Sequence, residues 1–189
     1  ASATTSEDQD VVVPLTASDI DGDALTYSLD TNASNGSVAI EGSFATYTPN
    51  LNYNGDDSFV FTVSDGELSA TAQVTLTVEA VNDAPVLATV SDVSFDEDES
   101  GSVSLSADDV DGDALEYAVS GGSSITADLD VDTITFTAPA DYNGSEQFTV
   151  SVTDGEYIAS QVITVVVNAV NDAPVLASIG DRVIDEDGV

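Results

Sequence analysis

The chain has 189 residues, with 36 acidic side chains against a single Arg182, no His, Cys, Met or Trp, and a formal net charge of −35. Without imidazole, thiol or lysine amine groups, the usual general bases, covalent nucleophiles and transition-metal ligands are missing. A surface this acidic also repels phosphate backbones and anionic lipid heads, so enzyme chemistry, nucleic-acid binding and membrane insertion are not expected, and a disulfide scaffold is excluded.

Taken in chain order, short runs of period two predict strands at roughly 1–5, 11–17, 25–30, 37–41, 44–48, 58–63 and 70–80. The alternation is clearest in the last two. Phe59, Phe61 and Val63 alternate with Val60 and Thr62, and Ala72, Val74, Leu76 and Val78 alternate with Gln73, Thr75 and Thr77. Val, Thr and aromatic residues fill these runs, Gly, Asn, Asp and Pro punctuate them, and no long segment of helical period intervenes. No apolar run approaches the roughly 20 residues of a membrane-spanning helix.

After residue 82 the pattern starts again. Asp19-Ile20-Asp21-Gly22-Asp23-Ala24-Leu25 returns as Asp109-Val110-Asp111-Gly112-Asp113-Ala114-Leu115, Tyr53-Asn54-Gly55 as Tyr142-Asn143-Gly144, and Val81-Asn82-Asp83-Ala84-Pro85 as Val170-Asn171-Asp172-Ala173-Pro174. The offset is 89 or 90 residues throughout. About seven strands per unit, with turn signals every 8 to 12 residues, predict an all-β chain of immunoglobulin-like sandwiches, each built from two antiparallel sheets. The expected domains are residues 1–82, residues 83–173, and residues 174–189 as the start of a truncated third repeat. Copy one has no counterpart of Val86–Val90, and Ala3 and Thr5 stand where copy two has Val93 and Phe95, so its first strand is expected to be weak.

An odd number of strands sorts successive loops to alternate poles of each sandwich. Asp19, Asp21, Asp23, Asp65 and Glu67 fall at one pole of copy one, and Glu7, Asp8, Asp56, Asp57, Asn82 and Asp83 at the other. The short link through Asn82 and Asp83 is expected to bring that second pole against the pole of copy two that carries Asp109, Asp111, Asp113, Asp154 and Glu156. So many carboxylates together repel unless a hard cation neutralises them, and calcium, with six to eight oxygen ligands in flexible geometry, suits them better than magnesium. The Asp-x-Asp-Gly-Asp loops are not EF-hands, because Ala24 occupies the sixth position, where the turn needs glycine.

These residues resemble cadherin repeats, and in particular the cadherin-like or immunoglobulin-like tandem repeats of large bacterial surface adhesins. The resemblance rests on Glu7 in the first turn, Asp19-x-Asp21 and Asp109-x-Asp111, the Asp65-Gly66 and Asp154-Gly155 turns, and the two Val-Asn-Asp-Ala-Pro junctions. Tyr47-Thr48-Pro49-Asn50 and the run from Ser58 to Gly66 are typical of the bacterial group. The family resemblance implies two tandem seven-stranded Greek-key sandwiches joined end to end. It also implies calcium at a complete junction formed by Glu7, Asn82, Asp83, Asp109, Asp111 and Asp154, with half sites at Asp19, Asp21, Asp65, Glu97, Asp98, Asn171 and Asp172. Asn54-Gly55-Asp56-Asp57 stands where cadherins carry Leu-Asp-x-Glu, so Asp57, or Asp56 beside it, takes the remaining ligand position. The function so implied is a calcium-stiffened extender of a secreted or cell-surface bacterial adhesin. The alternative is a calcium-dependent module that binds polysaccharide or a like repeat on another cell.

Overall fold

The computed structural model describes residues 1–178, 180 and 186, and every regular element among them is a β-strand. None of the described segments is a helix long and apolar enough to cross a membrane. The chain divides into two compact units, Ala1–Asp83 with the loop Val110–Asp113, and Ala84–Asp109 with Ala114–Val189.

The first unit is formed by β1 (Ser2–Ser6), β2 (Val11–Pro14), β3 (Thr26–Thr31), β4 (Gly36–Glu41), β5 (Phe44–Pro49), β6 (Gly55–Ser64) and β7 (Ser69–Glu79). One sheet runs β1-β7-β6-β3 and the other β2-β5-β4, which is a Greek-key arrangement. The alternating positions read from the sequence supply the core. Val13 from β2, Ala45 and Tyr47 from β5, Phe59 and Phe61 from β6, and Val74, Leu76 and Val78 from β7 form one buried cluster. Their polar neighbours along each strand face solvent, as a half-buried sheet requires.

The second unit repeats this plan in β9 (Val93–Asp96), β10 (Ser100–Ser104), β12 (Glu116–Gly121), β13 (Thr126–Asp130), β14 (Thr133–Thr137), β15 (Gly144–Thr153) and β16 (Ile158–Asn168). Its sheets run β12-β15-β16-β9 and β10-β14-β13. It adds a short ribbon of β8 (Val86–Leu87) and β11 (Ala107–Asp108). Phe136 and Phe148 meet edge to face at its centre, with ring centroids 5.0 Å apart.

The sheets are not wholly antiparallel as expected. In both units the first long strand pairs parallel with the last, Ser2–Ser6 beside Thr75–Glu79 and Val93–Asp96 beside Val165–Asn168. Alternation of apolar residues specifies which face is buried but not strand direction, so this pairing is invisible to a periodicity reading. The predicted weak first strand nevertheless forms a continuous five-residue ladder. Of the predicted third-repeat start, Ile179 and residues 181–185 and 187–189 lie outside the described residues. Val175 and Leu176, which are described, are 95% and 89% exposed.

Candidate metal centre

The turn after β1 is built around Glu7, which is only 4% exposed despite its charge. Its amide donates to the Glu79 carbonyl at 2.9 Å, continuing the parallel ladder beyond β1. Its Oε1 accepts the Val81 amide at 2.5 Å, whereas its Oε2 is buried with no hydrogen-bond donor. Asp8 follows at φ 58° and accepts the amide of Asn52, itself at φ 56°, so two turns of this pole are locked together.

In the same unit the Asp83 amide donates to Asp111 Oδ2 at 2.7 Å, and Asp83 Oδ2 is a second buried oxygen that no donor reaches. Asn82 Nδ2 turns back to the Asp83 carbonyl at 3.3 Å. Along the loop Asp109–Asp113, carboxylate oxygens of Asp109, Asp111 and Asp113 lie within 4.8 Å of one another. An ionised carboxylate buried with an oxygen unmet by any donor is costly unless a cation accompanies it. The ligand set is oxygen only, which fits a hard cation such as calcium and not a transition metal.

The second unit reproduces the arrangement at its own far turn. Glu97 is 6% exposed, its amide donates to the Asn168 carbonyl at 2.9 Å and its Oε1 accepts the Val170 amide. Asn171 Nδ2 reaches the Asp172 carbonyl at 3.1 Å, as Asn82 does for Asp83. Here Asp98, Asp141 and Asp172 present oxygens within 4.8 Å of one another. The neighbouring Asp141 charge, then desolvation and the charges of Glu97 and Asp98, push the Asp172 carboxyl above its ordinary range. Asp141 escaped the sequence reading because its counterpart in copy one is the neutral Asn52. The signal available was its place immediately before Tyr142-Asn143-Gly144, where the backbone takes φ 58° and favours Asn or Asp.

The remaining predicted positions are organised by their own loops. Asp19 Oδ1 accepts the amides of Asp21 and Asp23 at 2.8 and 3.2 Å. Asp65 Oδ1 accepts those of Leu68 and Glu67 at 2.7 and 2.8 Å, and these bonds hold its carboxyl below the usual range. Asp154 Oδ1 does the same for Tyr157 and Glu156, at 2.6 and 2.7 Å. These are Asx turns that shape the loops carrying the acids.

Asp57, expected as a metal ligand, is engaged otherwise. Its two oxygens accept the amides of Ser34, Asn35 and Ser58 at 3.0, 2.8 and 2.8 Å and the Tyr47 hydroxyl at 3.1 Å. Burial pushes this carboxyl up, but the Asn35, Ser34 and Ser58 amides and the Tyr47 hydroxyl outweigh it and hold the group below its ordinary range. Asp57 is thus a clamp on the loop before β4. Gly36, which follows this loop, leaves space for the Tyr47 ring, since a Cβ there would strike that ring and lie 2.5 Å from the Thr48 carbonyl. In the second unit Glu146 takes the same role, binding the amides of Ser123, Ser124 and Ile125. In the first unit, Asp56 beside Asp57 accepts the Thr77 hydroxyl at 3.2 Å, and its carbonyl accepts the Tyr53 hydroxyl at 2.7 Å.

Two solved structures share the fold. The first two repeats of human protocadherin-24 match 91% of this chain and 95% of theirs at 20% identity and a TM-score of 0.57. Repeats 1–4 of Drosophila N-cadherin match 90% of this chain and 47% of theirs at 18% identity and a TM-score of 0.56. Among curated proteins, Chitinase A of Pseudoalteromonas piscicida is 37% identical over 118 residues, 58% of this chain, which spans only 14% of the chitinase. The bacterial Ig domain profile matches residues 1–77 and again residues 82–167, so both repeats are accounted for and the chain belongs to the bacterial Ig domain family.

Proposed function

We propose that the chain is a non-catalytic, extracellular spacer of adhesin type, in which calcium held by the repeat-end acids stiffens successive repeats. The observation that carries this reading is Glu7, a buried carboxylate with one oxygen on the Val81 amide and the other on no donor at all. Its counterpart Glu97 is buried and accepts the Val170 amide in the same way, so a buried carboxylate at this turn recurs in both repeats. Asp83 adds a second unmet oxygen, and Asp109, Asp111 and Asp113 add carboxylates on one loop. Six to eight oxygens suffice for a calcium ion, and carboxylates, the Asn82 carbonyl and water together can reach that number.

Calorimetric calcium titration of the wild type and of Glu7→Gln tests the site. The variant keeps an acceptor for Val81 but puts an amide where the cation needs charge, so affinity at this site should fall about tenfold or more, ~1.4 kcal/mol. Asp57→Asn should leave calcium affinity unchanged. Equal losses in the two variants would show that general negative charge, not a built site, holds the ion.

The chitinase relative favours a second reading, a spacer or binding module beside a polysaccharide-degrading enzyme. Tyr157, 43% exposed just before β16, and Phe44, 53% exposed on β5, are exposed aromatic rings on which a sugar could stack. Chitin pull-down with calcium and with chelator, on wild type and Tyr157→Ala, separates the readings: specific retention lost in the variant favours binding, and no retention favours the spacer alone.

A further inference from the structure

The same sheet face carries different chemistry in the two units. Along β2-β5-β4 of the first unit, Val11, Val13, Ala45 and Tyr47 point into the core, so the side chains between them point outward. Cross-strand pairing sets the outward residues in rows, Pro14 opposite Phe44 opposite Glu41, and Val12 opposite Thr46 opposite Ala39. Phe44 is 53% and Val12 58% exposed, and Pro14 and Ala39 are exposed beside them.

In the second unit the corresponding rows are Ser104, Thr133 and Asp130, and Ser102, Thr135 and Asp128. Val12, Pro14, Ala39 and Phe44 are all replaced by polar residues there, while the inward Val13, Ala45 and Tyr47 keep the apolar counterparts Val103, Ile134 and Phe136. Ser102, Ser104 and Thr135 stay exposed with chain on both sides of the second unit, so this face is an outer surface of the repeat itself. The wet face of an antiparallel sheet is ordinarily polar, as it is in the second unit. A cluster of Val12, Pro14 and Phe44 on that face marks a contact surface.

Size and charge select the occupant. The three side chains together offer on the order of 300 Å² at most, well short of the roughly 800 Å² that each partner of a stable protein complex buries. A second copy of this chain would bring a further net charge of −35 against the first, and anionic polymers are repelled for the same reason. An uncharged sugar ring suits such a face, because its axial C–H bonds lie on an aromatic ring as an apolar surface while its equatorial hydroxyls reach sideways to polar groups. We propose that the outer face of β2-β5-β4 in the first unit binds a neutral polysaccharide of equatorially substituted rings, with one ring stacked on Phe44 beside Pro14. Glu41, directly across the ladder from Phe44, accepts from the hydroxyls of that ring. Val12 and the Thr46 hydroxyl carry the next ring. The proposal rests on the polysaccharide-binding reading above and gives it a face and a sugar class.

The probes are chitohexaose and cellohexaose, both uncharged, titrated into the 189-residue chain in calcium and in chelator while amide resonances are followed. Shifts should appear at Val12, Ala39, Phe44 and Thr46 under both conditions, and those of Ser102, Thr133 and Thr135 should stay in place. Phe44→Thr, which copies Thr133 at an exposed position, should weaken binding about tenfold or more, and Tyr157→Ala should leave it unchanged. A hyaluronan hexasaccharide, with similar rings of which every second one carries a carboxylate, should bind about tenfold more weakly or worse, and equal binding would overturn the charge argument and the proposal with it. Binding lost in Tyr157→Ala but kept in Phe44→Thr would overturn this face and leave the wider polysaccharide reading standing, whereas no shift with either neutral sugar would overturn both. Broadening of the Val12 and Phe44 resonances with protein concentration alone would put a second copy on the face and overturn the sugar as its occupant.

Discussion

Tyr47 and Asp57 in the first unit become Phe136 and Glu146 in the second, a paired exchange that shows what the clamp needs. The shorter Asp57 is completed by the Tyr47 hydroxyl. The longer Glu146 reaches the Ser123 amide and hydroxyl at 2.7 and 2.8 Å and takes the Tyr142 hydroxyl at 3.4 Å, so a phenylalanine suffices at position 136. Burial and the Asp57 carboxylate push the Tyr47 phenol well above its ordinary range, so it donates at every ordinary pH. Tyr47→Phe should cost about 1.5 to 3 kcal/mol of first-unit stability in denaturant unfolding, the usual loss for a hydrogen bond to a charged group. Adding Asp57→Glu should recover part of it, since that combination is the one found at Phe136 and Glu146. Additive losses would mean that the two positions do not act as a pair.

The same clamp sets an acid limit. The Ser123 amide, followed by the Ser123 hydroxyl and the Ser124 and Ile125 amides, lowers the Glu146 carboxyl from 4.5 to about 2. A carboxyl lowered in the folded state stabilises it fully above the unfolded value, and that contribution disappears as pH falls through the folded one. Wild type and Glu146→Gln should therefore differ in second-unit stability at neutral pH and converge between pH 4.5 and about 2, the window set by those two values. Denaturant unfolding across this range tests it, and a constant difference between the two proteins would assign the effect to shape and not to charge.

Among the elements, β1 and β9 show how one strand position is solved twice. In β9, Val93 and Phe95 are large and buried, and Gly101 on β10 leaves space for them, since a Cβ there would lie 2.6 Å from both side chains. In β1 the corresponding residues are Ala3 and Thr5, and Val11 on β2 fills the space from the other side. This exchange is why β1 forms in spite of its weak apolar content. Gly101→Val should overpack the second unit and cost about 1 to 3 kcal/mol. The cost should shrink when Val93→Ala and Phe95→Thr are added, and calorimetry of the single and triple variants measures the coupling.

The strands themselves were legible because alternation is a local property, written in residues such as Phe59, Phe61 and Val63. What was not legible depends on where chain segments separated in sequence come together. The parallel seat of β1, the burial of Glu7 by Val81, and the capture of Asp57 by Ser34, Asn35 and Tyr47 all join residues at least ten positions apart, and no periodicity encodes them. The acids of the candidate site were readable as a recurring set. Their division into cation ligands, loop clamps and Asx turns was not, because it is set by which amides each carboxylate meets.

At the scale of the whole molecule, a charge of −35 and the shortage of basic partners make cations the natural source of added stability. Calcium bound only to the folded chain adds RT ln(1 + [L]/Kd), about 2.7 kcal/mol at a hundredfold excess over Kd. The melting temperature should therefore rise in millimolar calcium by more than sodium chloride of the same ionic strength produces, since screening alone acts on all exposed charges equally. An equal response to the two salts would leave no role for a built site.

The central claim is that calcium at the repeat-end acids stiffens the chain, and small-angle scattering tests it most directly. With millimolar calcium the 189-residue protein should scatter as a rigid elongated particle, and with chelator, or in Glu7→Gln with calcium present, as a flexible one with a broader distance distribution. Scattering curves that superimpose with and without calcium would contradict it.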